Sequence, residues 1–233
     1  MYAGSRMRKL FLASAICSAI FLLFVVDPSL PGARFGVVFK VASIGLLAVM
    51  ASTTRPQQRL LAIALSISAW GDLLLDLKHL GSFGRVQLFS FGLVSFLIAH
   101  LFYVVLFLKS RSHDRVSAIR KLACAVLVLV ALATMRILWP GLAEMRTPVL
   151  VYSAVLTTMA VTAQLSRFSK LVAIGALSFF ASDTMLAMDI FGHPFHGSRT
   201  LVWITYYAAQ ALIAVGVSRR QEKSFASEAG ATQ

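Results

Sequence analysis

Long apolar runs follow one another along the 233 residues, separated by short segments with charged residues, glycine or proline. Most runs hold about 18 or more residues with few charges, the length of helix that crosses the hydrocarbon core of a bilayer. The pattern predicts eight transmembrane helices, over 9–26, 36–51, 59–77, 86–108, 121–139, 148–165, 170–190 and 200–217. We therefore expect an all-α integral membrane bundle over 1–218 and a short, polar, disordered cytoplasmic tail over 219–233.

Polar side chains interrupt four of these runs at positions that repeat. Asp72 in SAWGDLLLDL and Asp183 in FFASDTMLAMDI are 111 residues apart, and His100 in FLIAHLFYVV and Gln210 in YYAAQALIAV are 110 residues apart. A carboxylate inside a bilayer is costly, so such a residue usually faces the protein interior and serves a function. Hydrogen bonding between helices is the alternative role for these residues.

The spacing predicts that the chain is built from two repeats of four helices, approximately 1–110 and 111–218. Because four is an even number, both repeats would enter the membrane in the same direction. The result would be a parallel repeat, related by a pseudo-two-fold axis near the membrane normal, with a shared site at the repeat interface. Chance similarity among apolar helices is the alternative explanation.

Both aspartates are predicted at the same depth. Each lies thirteen residues after the start of its predicted helix, which is about 20 Å along a hydrocarbon core of about 30 Å. The same reasoning places His100 and Gln210 near the middle of the membrane. These depths would allow all four side chains to face one cavity.

Composition and charge narrow the class of protein. Hydrophobic residues make up 58% of the chain and charged residues 13%, which excludes an ordinary soluble domain. The net charge is +13, but fifteen of the 22 Lys and Arg residues lie on the side of the predicted termini. This asymmetry follows the positive-inside rule, so we expect both termini in the cytoplasm and a location in a bacterial inner membrane. Anionic lipids, not nucleic acid, are the expected partners of this charge.

Four further polar residues lie within the predicted spans. Lys40 begins the second span, where it could snorkel to the interface or pair with an acid or a lipid phosphate. Asp76 shares a helix face with Asp72, although its place near a helix end suggests a solvated carboxylate. Tyr103 shares a face with His100 and could orient it, whereas Tyr206 could simply pack between helices.

The sequence predicts no metal or cofactor. Cys17 and Cys124 lie on different predicted helices without a CxxC spacing, so they indicate neither a metal site nor a disulfide. Asp189, His193 and His196 in DIFGHPFHG have ligand-like spacing, but glycine and proline break any common helix face. We therefore treat these residues as parts of helix ends and loops.

Several segments, in this order and spacing, resemble the YhhN-like lysoplasmalogenases, a family of eight-span membrane proteins. They are VFK, WGDLLL, GLVSFLIAHLFYVVLF, TPVLVYSAVLTTMAV, GALSFFASDTMLAM and YYAAQALI. The resemblance covers nearly the whole chain. The family's motif positions correspond to Lys40, Gly71, Asp72, His100, Tyr103, Ser182, Asp183, Tyr206 and Gln210. One departure is Val41, where many members have proline, which puts the local shape of the second span in doubt.

The resemblance implies hydrolysis of the vinyl ether bond of lysoplasmalogens, giving a fatty aldehyde and glycerophospho-ethanolamine or -choline. A vinyl ether is cleaved when its β-carbon is protonated and water traps the oxocarbenium ion. Such an enzyme needs one protonated carboxyl group and one carboxylate, a pairing that burial and mutual repulsion of two acids can produce. Asp72 and Asp183 are the predicted catalytic pair, in either order.

The other motif residues would support this pair. His100 and Gln210 would orient the acids or the water, Lys40 would hold the lipid phosphate, and Ser182 would lie near the site. A proton-coupled transporter or lipid-binding protein, with the acids as a relay, is the alternative function. No span carries the Pro/Gly interruption expected of a broken transport helix. The oligomeric state is left open.

Overall fold

A computed structural model describes residues 2–52, 56–77, 85–111 and 116–230, and within them the side chains of 5–52, 58–77, 88–111 and 116–219. The helices of these residues, which are numbered here in chain order, are α1 (Tyr2–Val26), α2 (Gly36–Ala51), α3 (Pro56–Leu77), α4 (Arg85–Lys109), α5 (Ala118–Leu138), α6 (Arg146–Gln164), α7 (Lys170–Ile190) and α8 (Ser198–Gly230). Short 3-10 turns lie at Ala33–Phe35, Trp139–Gly141 and Ala143–Met145.

All eight helices are long and apolar enough to cross a membrane, with mean hydropathies between 1.2 and 2.4. The prediction of an all-helical, eight-span membrane protein is therefore confirmed. The largest differences between the predicted and the observed helix boundaries lie at the two chain ends, because α1 begins at Tyr2 and α8 ends at Gly230. Side chains beyond Arg219 lie outside the described part, so the disordered tail stays a prediction.

Six helices, α2, α3, α4, α6, α7 and α8, enclose the interior of the bundle, and α1 and α5 lie outside them. Helix α2 packs against α3, α3 against α4, α4 against α6, α6 against α7 and α7 against α8, and α8 returns to α2 and α3. Helix α1 lies against α2 and α8. Helix α5 lies against α6 and α7 at the periphery, and only Leu127 and Leu138 of its 21 residues are buried. The bundle interior therefore collects side chains from α2, α3, α4, α6, α7 and α8.

Glycines allow the two most extensively packed helix pairs to approach closely. A Cβ atom on Gly71 of α3 would stand 2.9 Å from the ring of Phe96 on α4. A Cβ atom on Gly175 of α7 would stand 3.0 Å from the carbonyl oxygen of Ala209 on α8. Small residues at such contacts are typical of membrane helix packing. They bring Asp72 and Asp183 into pairs α3–α4 and α7–α8, an arrangement that the predicted repeat would require; the repeat and its boundaries stay a prediction.

Candidate functional site

Polar side chains inside the bundle form two clusters. We call the side of the bundle toward the helix ends that are joined by 27–35, 78–84, 139–145 and 191–197 the distal side. The Asp72 cluster comprises Lys40, Asp72, Asp76, Tyr103, Tyr206 and Gln210. The Asp183 cluster comprises His100, Tyr152 and Asp183.

Asp72 is an ion-paired carboxylate in the bundle interior. Its Oδ1 lies 3.3 Å from Nζ of Lys40 on α2, and the same Nζ lies 3.3 Å from Oδ1 of Asp76. Its Oδ2 accepts a hydrogen bond of 2.7 Å from the hydroxyl of Tyr206 on α8. Asp72 is only 3% exposed, so the cation and the hydroxyl replace the water that its charge has lost.

A chain of hydrogen bonds leads to this carboxylate from α4 and α8. The hydroxyl of Tyr103 donates to Oε1 of Gln210 at 2.5 Å, and Nε2 of Gln210 donates to the hydroxyl of Tyr206 at 3.2 Å. Every donor in the chain points toward Asp72, and such chains polarise and strengthen their members. Tyr103 and Gln210 therefore act on Asp72 through Tyr206.

Asp183 has a different set of partners. The hydroxyl of Tyr152 on α6 donates to its Oδ2 at 2.5 Å, and Nε2 of His100 on α4 lies 3.8 Å from the same oxygen. Among the described residues, no Lys or Arg side chain lies within ion-pair distance of Asp183. Its surroundings thus supply a hydroxyl donor and an imidazole in place of the cation that Asp72 has.

His100 is oriented by a contact that also determines its tautomer. Nδ1 lies 2.6 Å from the carbonyl oxygen of Phe96, and since a carbonyl only accepts, Nδ1 must carry the proton. Nε2 of the neutral ring is then an acceptor; it is buried and has no hydrogen-bond partner among the described side chains. The ring is packed edge-on between Tyr152 and Phe179, with centroids at 5.4 and 4.7 Å.

Asp183 and Tyr152 face a pocket between α3, α4, α5, α6 and α7, which we call the Asp183 pocket. Its cavity volume is about 80 Å³. Its lining is largely apolar and aromatic, and its polar members include Thr134, Tyr152, Ser153, Asp183 and Thr184. An apolar pocket with few convergent polar groups is typical of sites that bind hydrophobic small molecules.

An aromatic wall stands between the two clusters. The ring of Phe179 has centroid distances of 4.7 Å to His100, 6.2 Å to Tyr103 and 5.4 Å to Tyr206. Asp183 lines the pocket, whereas Asp72 is not among the lining residues. The structure thus brings most of the predicted residues into two neighbouring clusters, but it gives the two acids separate partners.

The structure also gives the contacts of four other residues considered in the sequence analysis. Ser182 donates to the carbonyl oxygen of Val202 at 3.0 Å, a contact between α7 and α8 outside both clusters. Lys40 is held by two carboxylates. Asp76, which was expected to be a solvated carboxylate, is one of these two, and its side chain is 32% exposed. Asp189 accepts a hydrogen bond of 2.6 Å from Ser198. Within the described chain, no group of three His, Cys, Asp or Glu side chains is arranged to hold a metal ion.

Tyr152 is the site residue that sequence reasoning missed. A tyrosine within an apolar run is ordinary packing material, so its type alone gave no signal. Its spacing did contain one, because Tyr152 follows Lys40 by 112 residues, close to the separation of the two aspartates. In each predicted repeat, the helix before the acid therefore supplies that acid's partner, a lysine for Asp72 and a tyrosine for Asp183.

Fold and site together define a polytopic integral membrane protein with buried acids and a carboxyl group that faces an apolar pocket. The YhhN family profile matches residues 35–217, and the chain belongs to this family. This confirms the resemblance found in the sequence segments.

Named relatives cover most of the chain. Lysoplasmalogenase of Mycobacterium bovis (strain ATCC BAA-935 / AF2122/97) is 32% identical over 181 residues, 75% of this chain and 67% of the relative. Lysoplasmalogenase TMEM86B of Sus scrofa is 31% identical over 209 residues, 87% of this chain and 83% of the relative. Lysoplasmalogenase TMEM86A of Bos taurus is 31% identical over 182 residues, 72% of this chain and 69% of the relative. No solved structure matches the chain.

Proposed function

We propose that this protein is a membrane lysoplasmalogenase, which hydrolyses the vinyl ether of lysoplasmalogens to a fatty aldehyde and glycerophospho-ethanolamine or -choline. The observation that carries the proposal is the Asp183 carboxyl group, hydrogen-bonded by Tyr152 at the wall of an apolar pocket. A long hydrocarbon chain with one acid-labile bond fits such a site. The names of relatives at 31–32% identity support the same activity.

In this proposal Asp183 is the proton donor. Vinyl ether cleavage begins when an acid protonates the β-carbon, so the donor must contact the substrate and carry a proton. Asp183 lines the pocket and has no Lys or Arg partner among the described residues. A carboxyl group that is buried without a cation favours its neutral form. The Lys40–Asp72 pair makes Asp72 the carboxylate of the two.

The remaining steps use the neighbours of Asp183. After proton transfer, the hydroxyl of Tyr152 stabilises the Asp183 carboxylate. Water adds to the oxocarbenium carbon and gives its proton to Nε2 of His100, the acceptor 3.8 Å from Asp183, and the proton returns from His100 to Asp183. The hemiacetal then collapses to the aldehyde and the glycerol hydroxyl, so the enzyme ends in its starting state.

The Asp72 cluster supports the cationic intermediate electrostatically. Lys40 contacts two carboxylates, those of Asp72 and Asp76, so one negative charge in the cluster is not balanced when both acids are ionised. A fixed negative charge in a low-dielectric interior stabilises a positive charge that develops during a reaction. We assign Asp72 this role, with Tyr206, Gln210 and Tyr103 holding its position.

Arg146 is a better candidate for the lipid phosphate than Lys40. Lys40 is already engaged by two carboxylates. The Arg146 side chain is exposed at the first turn of α6, where its guanidinium lies 5.2 Å from the Trp139 ring centroid. It precedes Val149 of the pocket lining by one helical turn and thus shares its face. A phosphate at the distal membrane surface would therefore meet Arg146 while the chain enters the pocket.

Replacement of Asp183 by asparagine tests the proposal directly. Purified Asp183→Asn protein should release fatty aldehyde from lysoplasmenyl-ethanolamine about 10²–10⁴-fold more slowly than the wild type, the usual effect of removing a general acid. Asp189→Asn is the matched control, because Asp189 lies on the same helix and bonds Ser198 outside the site. Full activity of Asp183→Asn would contradict the assignment of the donor.

The same assay separates the enzyme from the transporter alternative. Aldehyde release in detergent needs no ion gradient, and a lyso-acyl lipid of equal chain length should not be cleaved. If the wild-type protein released no aldehyde but moved protons or lipid across vesicle membranes, the hydrolase proposal would be wrong.

A further inference from the structure

Helix α5 leaves an apolar groove on the membrane-facing side of the bundle. The groove runs between α5 and α7, and its lining includes Ala123, Val126 and Val130 of α5 and Leu177, Ala181 and Met185 of α7. None of its lining residues is charged. We call it the α5–α7 groove.

The groove adjoins the Asp183 pocket. Phe180 and Thr184 of α7 line both spaces, and Thr184 directly follows Asp183 in the chain. On α5, the groove lining reaches Val130 and the pocket lining begins at Ala131. The Asp183 carboxyl group therefore lies one residue away from the lining that the two spaces share.

The length and position of the groove match one hydrocarbon chain. Its α5 side extends from Ile119 to Val130, about 17 Å along the helix axis and close to half of a bilayer core of about 30 Å. Asp183 lies seven residues before the distal end of α7, about 10 Å below that end. A lipid with its phosphate at the distal surface would thus place its first chain atoms beside Asp183 and the rest in the groove.

The helix packing explains why the groove stays open. Arg120 near the start of α5 donates to the carbonyl oxygens of Gln164 and Ser166 at 3.1 and 2.9 Å, which attaches α5 to the end of α6. Beyond this attachment α5 contacts α7 only sparsely. Helix α5 thus packs on α6, and buried Leu138 fixes its distal end, while its sparse contact with α7 leaves space for a flexible apolar ligand.

We infer that the α5–α7 groove binds the alkenyl chain of the substrate and thereby sets the chain-length preference of the enzyme. The inference rests on the proposed function, which it extends by assigning the hydrocarbon chain a place. The lining that the groove shares with the Asp183 pocket favours the substrate chain over a second copy of the protein or a bulk phospholipid, since neither of these would need access to a buried acid.

A bulky residue in the groove should shorten the preferred chain. We expect Ala123→Trp to lower kcat/KM for a long-chain lysoplasmalogen by about tenfold or more relative to a short-chain one. Ala125→Trp is the matched control: it introduces the same side chain on the same helix, at an exposed residue that lines neither space. The control should keep the wild-type ratio between the two substrates. An unchanged ratio in Ala123→Trp would overturn the inference.

Photocrosslinking locates the chain without turnover. The inactive Asp183→Asn protein would be incubated with a long-chain 1-alkyl lysophospholipid, a saturated ether, that carries a photoreactive group at the chain end. Crosslinks should fall within 119–130 and 177–185 and should be competed by unlabelled lysolipid. Crosslinks elsewhere, or equal competition by diacyl phospholipid, would contradict the inference. So would a change of oligomeric state in Ala123→Trp, which would indicate a second copy in the groove.

The two proposals fail differently. If the wild-type protein did not hydrolyse vinyl ethers but crosslinks still formed in the groove, the proposed function would be refuted. The groove would then remain a lysolipid-binding site. Active wild-type protein whose chain-length preference is the same in Ala123→Trp would refute the groove assignment alone.

Discussion

Asp72 and Asp183 illustrate how neighbours give one residue type two functions. Lys40 and Tyr206 hold Asp72, whereas Tyr152 donates to Asp183 and His100 lies beside it. A cation stabilises a buried carboxylate. A hydroxyl group can instead form a hydrogen bond with a neighbouring carboxyl group whether that group is protonated or ionised. This difference in partners is the physical basis for assigning the proton donor to Asp183.

Removal of one hydroxyl group should reveal the contribution of Tyr152. Tyr152→Phe keeps the ring but deletes the donor to Asp183, and a hydrogen bond to a charged group contributes about 1.5–3 kcal/mol. If this bond strengthens as Asp183 loses its proton, kcat for aldehyde release should fall about ten- to hundredfold, with little change in KM.

Tyr207→Phe provides the control for this measurement. The Tyr207 hydroxyl bonds Ser14 at 3.0 Å, away from both acids, so its loss should leave kcat near the wild-type value. Equal effects of the two substitutions would argue against a specific role for Tyr152.

At the scale of elements, close contacts between paired helices position the acids. Gly71 lets α4 approach α3 beside Asp72, and Gly175 lets α8 approach α7 two helical turns before Asp183. The α3–α4 and α7–α8 pairs therefore behave as rigid supports, while α5 remains at the edge of the bundle. Rigid supports on one side and a loosely packed helix on the other suit a site that must admit a long lipid chain.

A single methyl group should be enough to disturb the α7–α8 pair. The Cβ atom of Gly175→Ala would lie 2.9 Å from Cγ1 of Ile213 and 3.0 Å from the Ala209 carbonyl oxygen. Because backbone must move to relieve this contact, we expect a loss of about 1–3 kcal/mol of stability, measured as a lower thermal unfolding midpoint in detergent.

Gly45→Ala is the comparison for that substitution. A Cβ atom there meets nothing within 4 Å, and alanine favours helix formation over glycine by up to about 1 kcal/mol. Gly45→Ala should therefore unfold at or above the wild-type midpoint. If Gly175→Ala did the same, the described close packing of α7 and α8 would be wrong.

The predicted repeat stays a prediction, and the two halves of the whole molecule differ in detail. In the repeat α5 would correspond to α1, and both helices lie at the edge of the bundle, but α1 contacts α2 and α8 whereas α5 contacts α6 and α7. The partners of the acids differ as well, with Lys40 in one half and Tyr152 in the other. The proposed chemistry and the α5–α7 groove involve the residues and helices in which the two halves differ.

Labelling from one side of the membrane should test the predicted orientation. In protein without native cysteines, His196→Cys in the distal 191–197 loop should react with a membrane-impermeant maleimide added outside intact cells. Ser117→Cys, exposed at the start of α5 on the opposite side, should react only after the cells are lysed. The reverse pattern would show that the positive-inside prediction is wrong for this chain.

The candidate site could be predicted from sequence only in part. Polar residues such as Asp72, Asp183 and His100 stand out because their cost in an apolar run is large. Tyr152 and Asp76 did not stand out, since a tyrosine is compatible with packing and an acid near a helix end is compatible with water. Their roles depend on which side chains on other helices lie opposite them.

The sequence by itself determined the number and approximate positions of the membrane helices, the family and the identity of the two buried acids. These properties follow from local apolar length and from the cost of single charges, which need no knowledge of neighbours. Only the tertiary structure decided that Lys40 pairs with Asp72, that Tyr152 serves Asp183, and that α5 stands apart to form a groove. Such contacts depend on the direction of side chains across helices that are far apart in the chain, and apolar periodicity carries no information about that direction.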